Sequence, residues 1–377
     1  MSERLIIRNF GPVKDMSFDF KKINLLIGEQ STGKSTVAKL LSTINQMPKD
    51  EKYLLDLSTV KVKDKFGEIG HFKKHLEGYQ IDTYLTNSTE IIYEHPLLKF
   101  RFIDGNCSMK KLSPAQGNEV SAESLNVLFI PADRAAVNLL SNEVLYSLNE
   151  IRQDLPLYFV RFGQMFNRAK KDQENFNFAD TLGVVYKYEN SLDKIEILNG
   201  KLINISDASS AIQTNVPLLV LMQYQSKYDF VFPKISVSDL NITVIEELEL
   251  NCFPYLQNAI LKYVALCIQP FPNRFTRRIL LTTHSPYILT SLNNLMYAYK
   301  VGQNHREEAN KIIEEKYWVN PNDVSAYQLL SDGTCIDILD REEGMIEADR
   351  IDEVSRIINK EFDDLMDIEF VANESDT

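Results

Sequence analysis

The sequence predicts an α/β fold with a mixed central sheet, and three observations carry that expectation. Apolar runs of strand length alternate with helical stretches from Lys22 onward. One such junction, between Lys22–Ile27 and Ser35–Gln46, is a glycine-flanked loop, Gly28–Lys34. Ahead of it, short segments with alternating apolar and polar residues predict an N-terminal antiparallel β-subdomain.

The elements follow in order. Leu5–Arg8 reads as a strand, Gly11-Pro12 as a turn, and Met16–Phe20 as a half-buried strand because its apolar residues alternate. Lys22–Ile27 is nearly continuously apolar and ends at a glycine, the pattern of a strand covered on both faces. In Ser35–Gln46, Val37, Leu40, Leu41 and Ile44 fall at helical spacing. Asp50–Asn118 is mixed, with strands across Ile91–Phe102 and turns at Asp104-Gly105 and Gln116-Gly117. Asn126–Ile130 is an apolar strand closed by Pro131. Val137–Phe178 reads as mostly helical, its aromatics (Tyr146, Tyr158, Phe162, Phe166) interleaved with charges, and so predicts a helical subdomain. Leu182–Asn204 gives hairpin strands around Asn199-Gly200, Ser206–Tyr228 a helix, Asn241–Ile245 a buried strand and Phe253–Ile268 a helix. Arg278–Thr283 is a further strand, and a helix starts at Pro286.

These readings divide the chain into four parts: residues 1–135, which hold the glycine loop and a β insertion; a helical insertion, 136–180; a second α/β part, 181–340; and a helix with an acidic tail, 341–377. No fixed-period repeat occurs, and no heptad pattern persists, so a long coiled-coil arm is not expected.

Composition excludes several classes. No apolar run approaches the roughly 18 residues of a transmembrane helix, and Met1–Phe10 lacks the features of a signal peptide, so no membrane partner is expected. Cys107, Cys252, Cys267 and Cys335 are scattered without CxxC spacing, which reads as reduced thiols and a cytoplasmic location. A formal net charge of -12 argues against coating nucleic acid by bulk electrostatics. Seven acidic residues and no Lys or Arg lie between Glu361 and Thr377, as in a solvated tail. The basic clusters Lys61–Lys74, Arg161–Lys171 and Arg274–Arg278 read as solvated faces.

Four segments carry chemistry. Gly28-Glu29-Gln30-Ser31-Thr32-Gly33-Lys34-Ser35, followed by Thr36, matches GxxxxGK[ST] between a strand and a helix. Glycines let the backbone N–H groups converge on phosphate oxygens, and the helix N-terminus favours negative charge. Lys34 supplies a cation for β- and γ-phosphates, and the Ser35 hydroxyl is a ligand for Mg²⁺. These requirements name a nucleoside triphosphate and Mg²⁺ as the ligands. Ile242–Glu247 is an apolar strand ending in two acids, with Glu246 expected toward the metal and Glu247 toward the attacking water. Leu280–Pro286 is an apolar strand ending in His284. A lone histidine is usually structural, but ligands of open α/β sheets sit at strand C-terminal ends, where His284 could reach the γ-phosphate or the water. Finally, Ser206–Gln213 precedes a helix and offers the hydroxyls of Ser209 and Ser210, which either cap that helix or meet a phosphate.

These four pieces, in this order, resemble the head domains of the ABC ATPase superfamily, on the side of its RecF, SMC and overcoming-lysogenisation-defect (OLD) group. The opening Leu5–Pro12, the segment Phe129–Arg134, and the stretches Glu246–Pro254 and Thr282–Leu289 are similar to segments of OLD-like ATPases. The resemblance covers roughly residues 1–50 and 125–300. It implies that Ser209–Gln213 stands where the family's signature loop meets the γ-phosphate held by a second subunit, so that two chains close around ATP. Ala211 stands where that signature usually has glycine, which puts fast hydrolysis in doubt more than ATP binding. Further implied are a homodimer or higher assembly and a separate effector protein, nuclease or toxin. A trigger of nucleic acid or phage protein is also implied, as for the ATPase halves of anti-phage systems of the PARIS, Septu and retron type. A DNA-repair or chromosome-maintenance ATPase, and a nucleotide-gated scaffold with little turnover, remain the alternatives.

Overall fold

A computed structural model describes residues 3–55, 69–96, 98–111, 125–139, 155–197, 199–231, 240–268, 276–347 and 359–366. The chain opens with three strands, β1 (Glu3–Phe10), β2 (Val13–Phe20) and β3 (Ile23–Gly28), and then helix α1 (Lys34–Leu55). Helix α2 (Ile69–Gly78) leads to β4 (Glu90–His95), β5 (Leu98–Ile103), β6 (Asn106–Lys111) and β7 (Leu125–Ile130). After α3 (Leu157–Asp172) come β8 (Asn175–Phe178), β9 (Val184–Glu189), β10 (Leu192–Ile197) and β11 (Leu202–Asn204). Among the elements that follow are α4 (Ser210–Val231), β12 (Leu240–Ile245), α5 (Pro254–Ile268), β13 (Thr276–Thr283), α6 (Pro286–Gly302), β14 (Val324–Leu329) and β15 (Cys335–Asp337).

The central sheet has the order β15-β14-β3-β13-β12-β7. Every pairing from β14 to β7 is parallel, and β15 joins its edge antiparallel. Burial explains the sequence pattern: Leu25, Leu26, Val244, Ile245, Leu280 and Leu281 are all core residues, so these strands read as continuous apolar runs. A second, antiparallel sheet, β2-β1-β4-β5-β6, forms the N-terminal subdomain. It faces α1 through Tyr93, whose hydroxyl donates to Glu3 Oε1 at 2.6 Å and lies 3.2 Å from Asn45 Oδ1. It meets the central sheet where Phe18 packs on Tyr327, ring centroids 4.4 Å apart. The third sheet, β11-β10-β9-β8, is also antiparallel.

Several local expectations are corrected. The helical reading of Val137–Phe178 holds for α3, but Asn175–Phe178 is a strand paired with β9, and residues 140–154 lie outside the described residues. Phe176 and Phe178 face the core while Asn175 and Asn177 face out, a period of two that a neighbouring helical pattern obscures. The basic stretch Arg161–Lys171 is not uniformly a solvated face. Lys170 is fully buried, its ammonium donating to both carboxylate oxygens of Asp193 at 3.0 and 2.9 Å. Tyr186 also donates to Asp193, so this buried charge pair has hydrogen bonds on both partners. Arg278 is likewise turned inward to an ion pair with buried Glu3. The turn expected at Gln116-Gly117, the basic residues 61–68 and the acidic tail beyond residue 366 lie outside the described residues. Residues 359–366 form an exposed helix.

Candidate functional site

Because β14, β3, β13, β12 and β7 are parallel, their C-terminal ends share one edge of the sheet. The strand order matters here. Since β13 lies between β3 and β12, His284, which follows β13, falls between the glycine loop after β3 and the acidic pair after β12. Three segments that are far apart in the chain thereby meet, in the position where open α/β sheets hold ligands.

The glycine loop is tightly constrained. Gly33 has φ +107°, a region closed to other residues, and a Cβ there would stand 2.8 Å from Val13 Cγ2. The β1–β2 turn thus presses directly on the loop. Gly28 is crowded from the other side, where a Cβ would meet the Leu329 carbonyl oxygen of β14 at 2.5 Å. Thr32 is buried and donates to the Glu29 carbonyl at 2.9 Å, and Thr36 is buried in the first turn of α1. Glu29, Gln30, Ser31 and Ser35 are exposed. Lys34 is buried, and its ammonium donates to the carbonyls of Gly28 at 2.8 Å and Glu29 at 2.6 Å. Of three N–H donors, one is left for a ligand oxygen. Burial pulls the Lys34 ammonium down to about 8, against the opposing pull of Glu247, Glu249 and Glu29.

At the end of β12, Glu246 is 4% exposed, and burial pushes its carboxyl up to about 7. Lys39 and a hydrogen bond to Ser35 act in the other direction. Oε2 accepts the Ala132 N–H at 3.3 Å, whereas buried Oε1 has no hydrogen-bond partner among the described residues. Glu247 takes the left-handed region at φ +46° and is pinned there by its N–H donating to Thr282 Oγ1 at 3.0 Å. His284 Nε2 lies 3.8 Å from Glu247 Oε1, and this imidazole is the main influence holding the carboxyl below its ordinary range. Both side chains are about a third exposed and open to solvent.

Sequence reasoning gave no role to the residues that stitch these parts together. Glu249 accepts Thr283 Oγ1 at 2.7 Å and the His284 N–H at 2.5 Å, fastening the acidic turn to the end of β13. Arg134, after β7, is fully buried and donates to the carbonyls of both Glu246 and Glu247. The sequence signals Arg134 by its place just after an apolar strand and Pro131, at the end of the segment Phe129–Arg134 that resembles OLD-like ATPases, without giving it a role. Ser209 and Ser210 are exposed at the start of α4, and neither hydroxyl makes a hydrogen bond among the described residues, so the side-chain cap expected as one reading is not made. They join the site indirectly, because Thr214, one turn on, contributes its carbonyl to Arg134.

A strand, glycine loop and helix, with a strand ending in acids one position beyond the neighbouring strand of the same parallel sheet, define the P-loop class of nucleotide-binding proteins. The chain belongs to the AAA ATPase domain family, whose model matches residues 1–191 and 162–289. No curated protein matches the sequence. Among solved structures, the chain is similar to an SMC head bound to the C-terminal winged-helix domain of ScpA, at 11% identity and TM-score 0.44 over 91% of this chain and 99% of that one. It is also similar to the SMC head domain from Thermotoga maritima, at 11% identity and TM-score 0.37 over 77% of this chain and 91% of that one. A third similar structure is the recombination mediator RecF with ATPrS, at 10% identity and TM-score 0.40 over 90% and 98%. These are likenesses of chain path and carry no functional argument. Among the described residues, no helix is long and apolar enough to cross a membrane, and no cluster of three His, Cys, Asp or Glu could hold a metal by itself.

Proposed function

We propose that this protein binds and hydrolyses ATP with Mg²⁺, and that two copies close around two ATP molecules in the manner of ABC-type heads. The observation that carries the reading is the convergence of Lys34, Ser35, Glu246, Glu247 and His284 at one sheet edge, with Glu247 and His284 facing each other. The loop Gly28–Thr36 would hold the phosphates through its N–H groups and the remaining Lys34 donor. Mg²⁺ fits Ser35 and Glu246, because a buried carboxylate oxygen without a partner beside an alcohol is half of a hard-cation site that phosphate oxygens complete. When bound, the ion supplies charge neutralisation of the phosphates. Glu247, held ionised by His284, accepts a proton from water as the water oxygen bonds to the γ-phosphorus and the bond to the bridging oxygen breaks, releasing ADP.

A partner chain is supported by two features. Ser209 and Ser210 present unengaged hydroxyls at a helix start. Phe253 and Tyr255, 79% and 80% exposed, directly follow the acidic turn, more apolar surface than solvent contact alone accounts for. We further read the dimer as a sensor or scaffold in the cytoplasm that controls a separate effector in anti-phage defence, a role that rests on the family resemblance.

Mixing two crippled chains tests the paired site. Lys34→Ala should lose ATP binding in a calorimetric titration, while Ser210→Arg should bind ATP as wild type does yet fail to self-associate on it. Their mixture contains one intact composite site and should regain ATPase activity. A Ser210→Arg chain that dimerises normally sinks the trans arrangement, and a Lys34→Ala chain with unchanged affinity sinks the phosphate site.

A further inference from the structure

Among the described residues, Arg134 is the largest side chain that is fully buried, and no carboxylate among them receives its guanidinium. It donates instead to four backbone carbonyls: Pro131 at 3.3 Å, Thr214 at 3.2 Å, Glu246 at 2.7 Å and Glu247 at 2.9 Å. Those acceptors belong to three separate segments. Pro131 directly follows β7, Glu246 and Glu247 form the turn after β12, and Thr214 lies in the first turns of α4, which begins at Ser210.

The helix is built to receive this contact. Pro217 sits inside α4 and has no N–H to give to the carbonyl four residues earlier, that of Gln213. Asn138 Nδ2 donates to that freed carbonyl at 2.7 Å, one helical step from where Arg134 Nε meets Thr214. The segment 131–138 therefore reads the opened side of α4 with two side chains and the acidic turn with the rest of the same guanidinium. Asn251 tightens the joint from the other side, its Nδ2 donating to Thr214 Oγ1 at 2.8 Å. A flat, forked cation with five N–H donors is suited to address carbonyls of several segments at once.

We propose that Arg134, assisted by Asn138, is a positioning residue that holds Glu247 and the start of α4 as one rigid unit. The helix end carrying Ser209 and Ser210 and the carboxylate facing His284 are then set together, so that the arrival of a nucleotide phosphate at one end is matched by a correctly aimed base at the other. The inference rests on the ATPase reading above. It assigns Arg134 no contact with ATP, so its loss should leave the glycine loop and nucleotide affinity unaltered while misaiming the base. A displacement of the order of 1 Å in a reacting group costs about 100-fold in rate.

The test compares Arg134→Met, Arg134→Lys, Asn138→Ala and Tyr186→Phe with the wild type, in the full chain. ATP turnover, KM, and affinity for a fluorescent ATP analogue are measured on protein shown to be folded by thermal melting. Arg134→Met should lower kcat about 100-fold with KM and affinity within about two-fold. Arg134→Lys should recover part of that loss, since an ammonium restores the charge and some of the donors. Asn138→Ala should lower kcat about ten-fold, and Tyr186→Phe, a deletion in the third sheet, should leave kcat unchanged. Wild-type kcat in Arg134→Met, or a rise in KM with kcat unchanged, overturns the positioning role. So does a kcat loss in Tyr186→Phe equal to that in the Arg134 variants, since general loosening then explains both. If neither Arg134 variant folds, Asn138→Ala decides, and an unchanged kcat there overturns the proposal. A wild-type chain that binds no ATP or does not turn it over removes the ATPase reading itself, a result distinct from all of these.

Discussion

Replacing Glu246 by Gln should stabilise the nucleotide-free protein at pH 8 and leave it nearly unchanged at pH 5. Glu246 is 4% exposed, with one carboxylate oxygen lacking a hydrogen-bond partner, and burial raises its carboxyl from an ordinary 4.5 to about 7. At about 1.4 kcal/mol per pH unit, the folded state bears a cost of about 3 kcal/mol for the ionised side chain above pH 7. The sign follows from the proton count: between pH 4.5 and 7 the folded state holds more protons than the unfolded one, so stability falls as pH rises through that window. Glutamine has the same shape and no charge, so the cost disappears. About 1 kcal/mol of the gain is given back because one amide group is left without a partner. The amide term is the same at both pH values, so the difference between variant and wild type should be about 2.5 kcal/mol larger at pH 8 than at pH 5, all of it from the carboxylate's ionisation. Urea unfolding with EDTA at both pH values measures it. An equal difference at the two pH values would refute the buried-charge account of this residue. The same variant should lose the dependence of ATP affinity on Mg²⁺, so that the side chain costly to the empty fold is the one the ligand needs.

Two further outcomes follow from the glycine loop. Gly33→Ala forces a Cβ to 2.8 Å from Val13 at φ +107°, so strain and overpacking should cost about 2–4 kcal/mol in urea unfolding and weaken ATP binding; a cost under about 0.5 kcal/mol contradicts the crowding. Because the Lys34 ammonium titrates near 8 in the free protein and must be charged to meet phosphate, ATP affinity should fall about ten-fold per pH unit above that value. Titration calorimetry near pH 8.5 in two buffers of different ionisation enthalpy should detect proton uptake, and affinity that stays flat to about pH 9.5 would contradict the assignment.

The parts of the fold legible in the sequence are those whose burial leaves a local trace. Lys22–Ile27, Asn126–Ile130, Asn241–Ile245 and Arg278–Thr283 are continuous apolar runs because both faces of a central parallel sheet are covered, and each corresponds to a strand. Strand order leaves no such trace. Nothing local to Arg278–Thr283 says that it inserts between β3 and β12, yet that insertion is what brings His284 to within 3.8 Å of Glu247. Short elements were lost for a different reason. Ile69–Gly78 is only ten residues in a charged stretch, and Asn175–Phe178 only four beside a longer helix, so neighbouring periods masked their own. Charged residues read as solvated faces misled where pairing is long-range: Lys170 finds Asp193 across 23 positions, and Arg278 meets Glu3 at the far end of the chain. A charge in sequence reads as surface until its partners are known.

The most direct measurement of the central claim is light scattering of the Glu247→Gln chain with and without ATP and Mg²⁺, alongside its turnover. Removing the carboxylate leaves the loop Gly28–Thr36, Ser35 and Glu246 in place while taking away the acceptor for the water's proton. The account predicts an ATP-dependent species of twice the chain mass that persists because hydrolysis no longer dissolves it, with turnover far below that of the wild type. A Glu247→Gln chain that hydrolyses ATP at the wild-type rate, or that stays monomeric at saturating ATP, would contradict it.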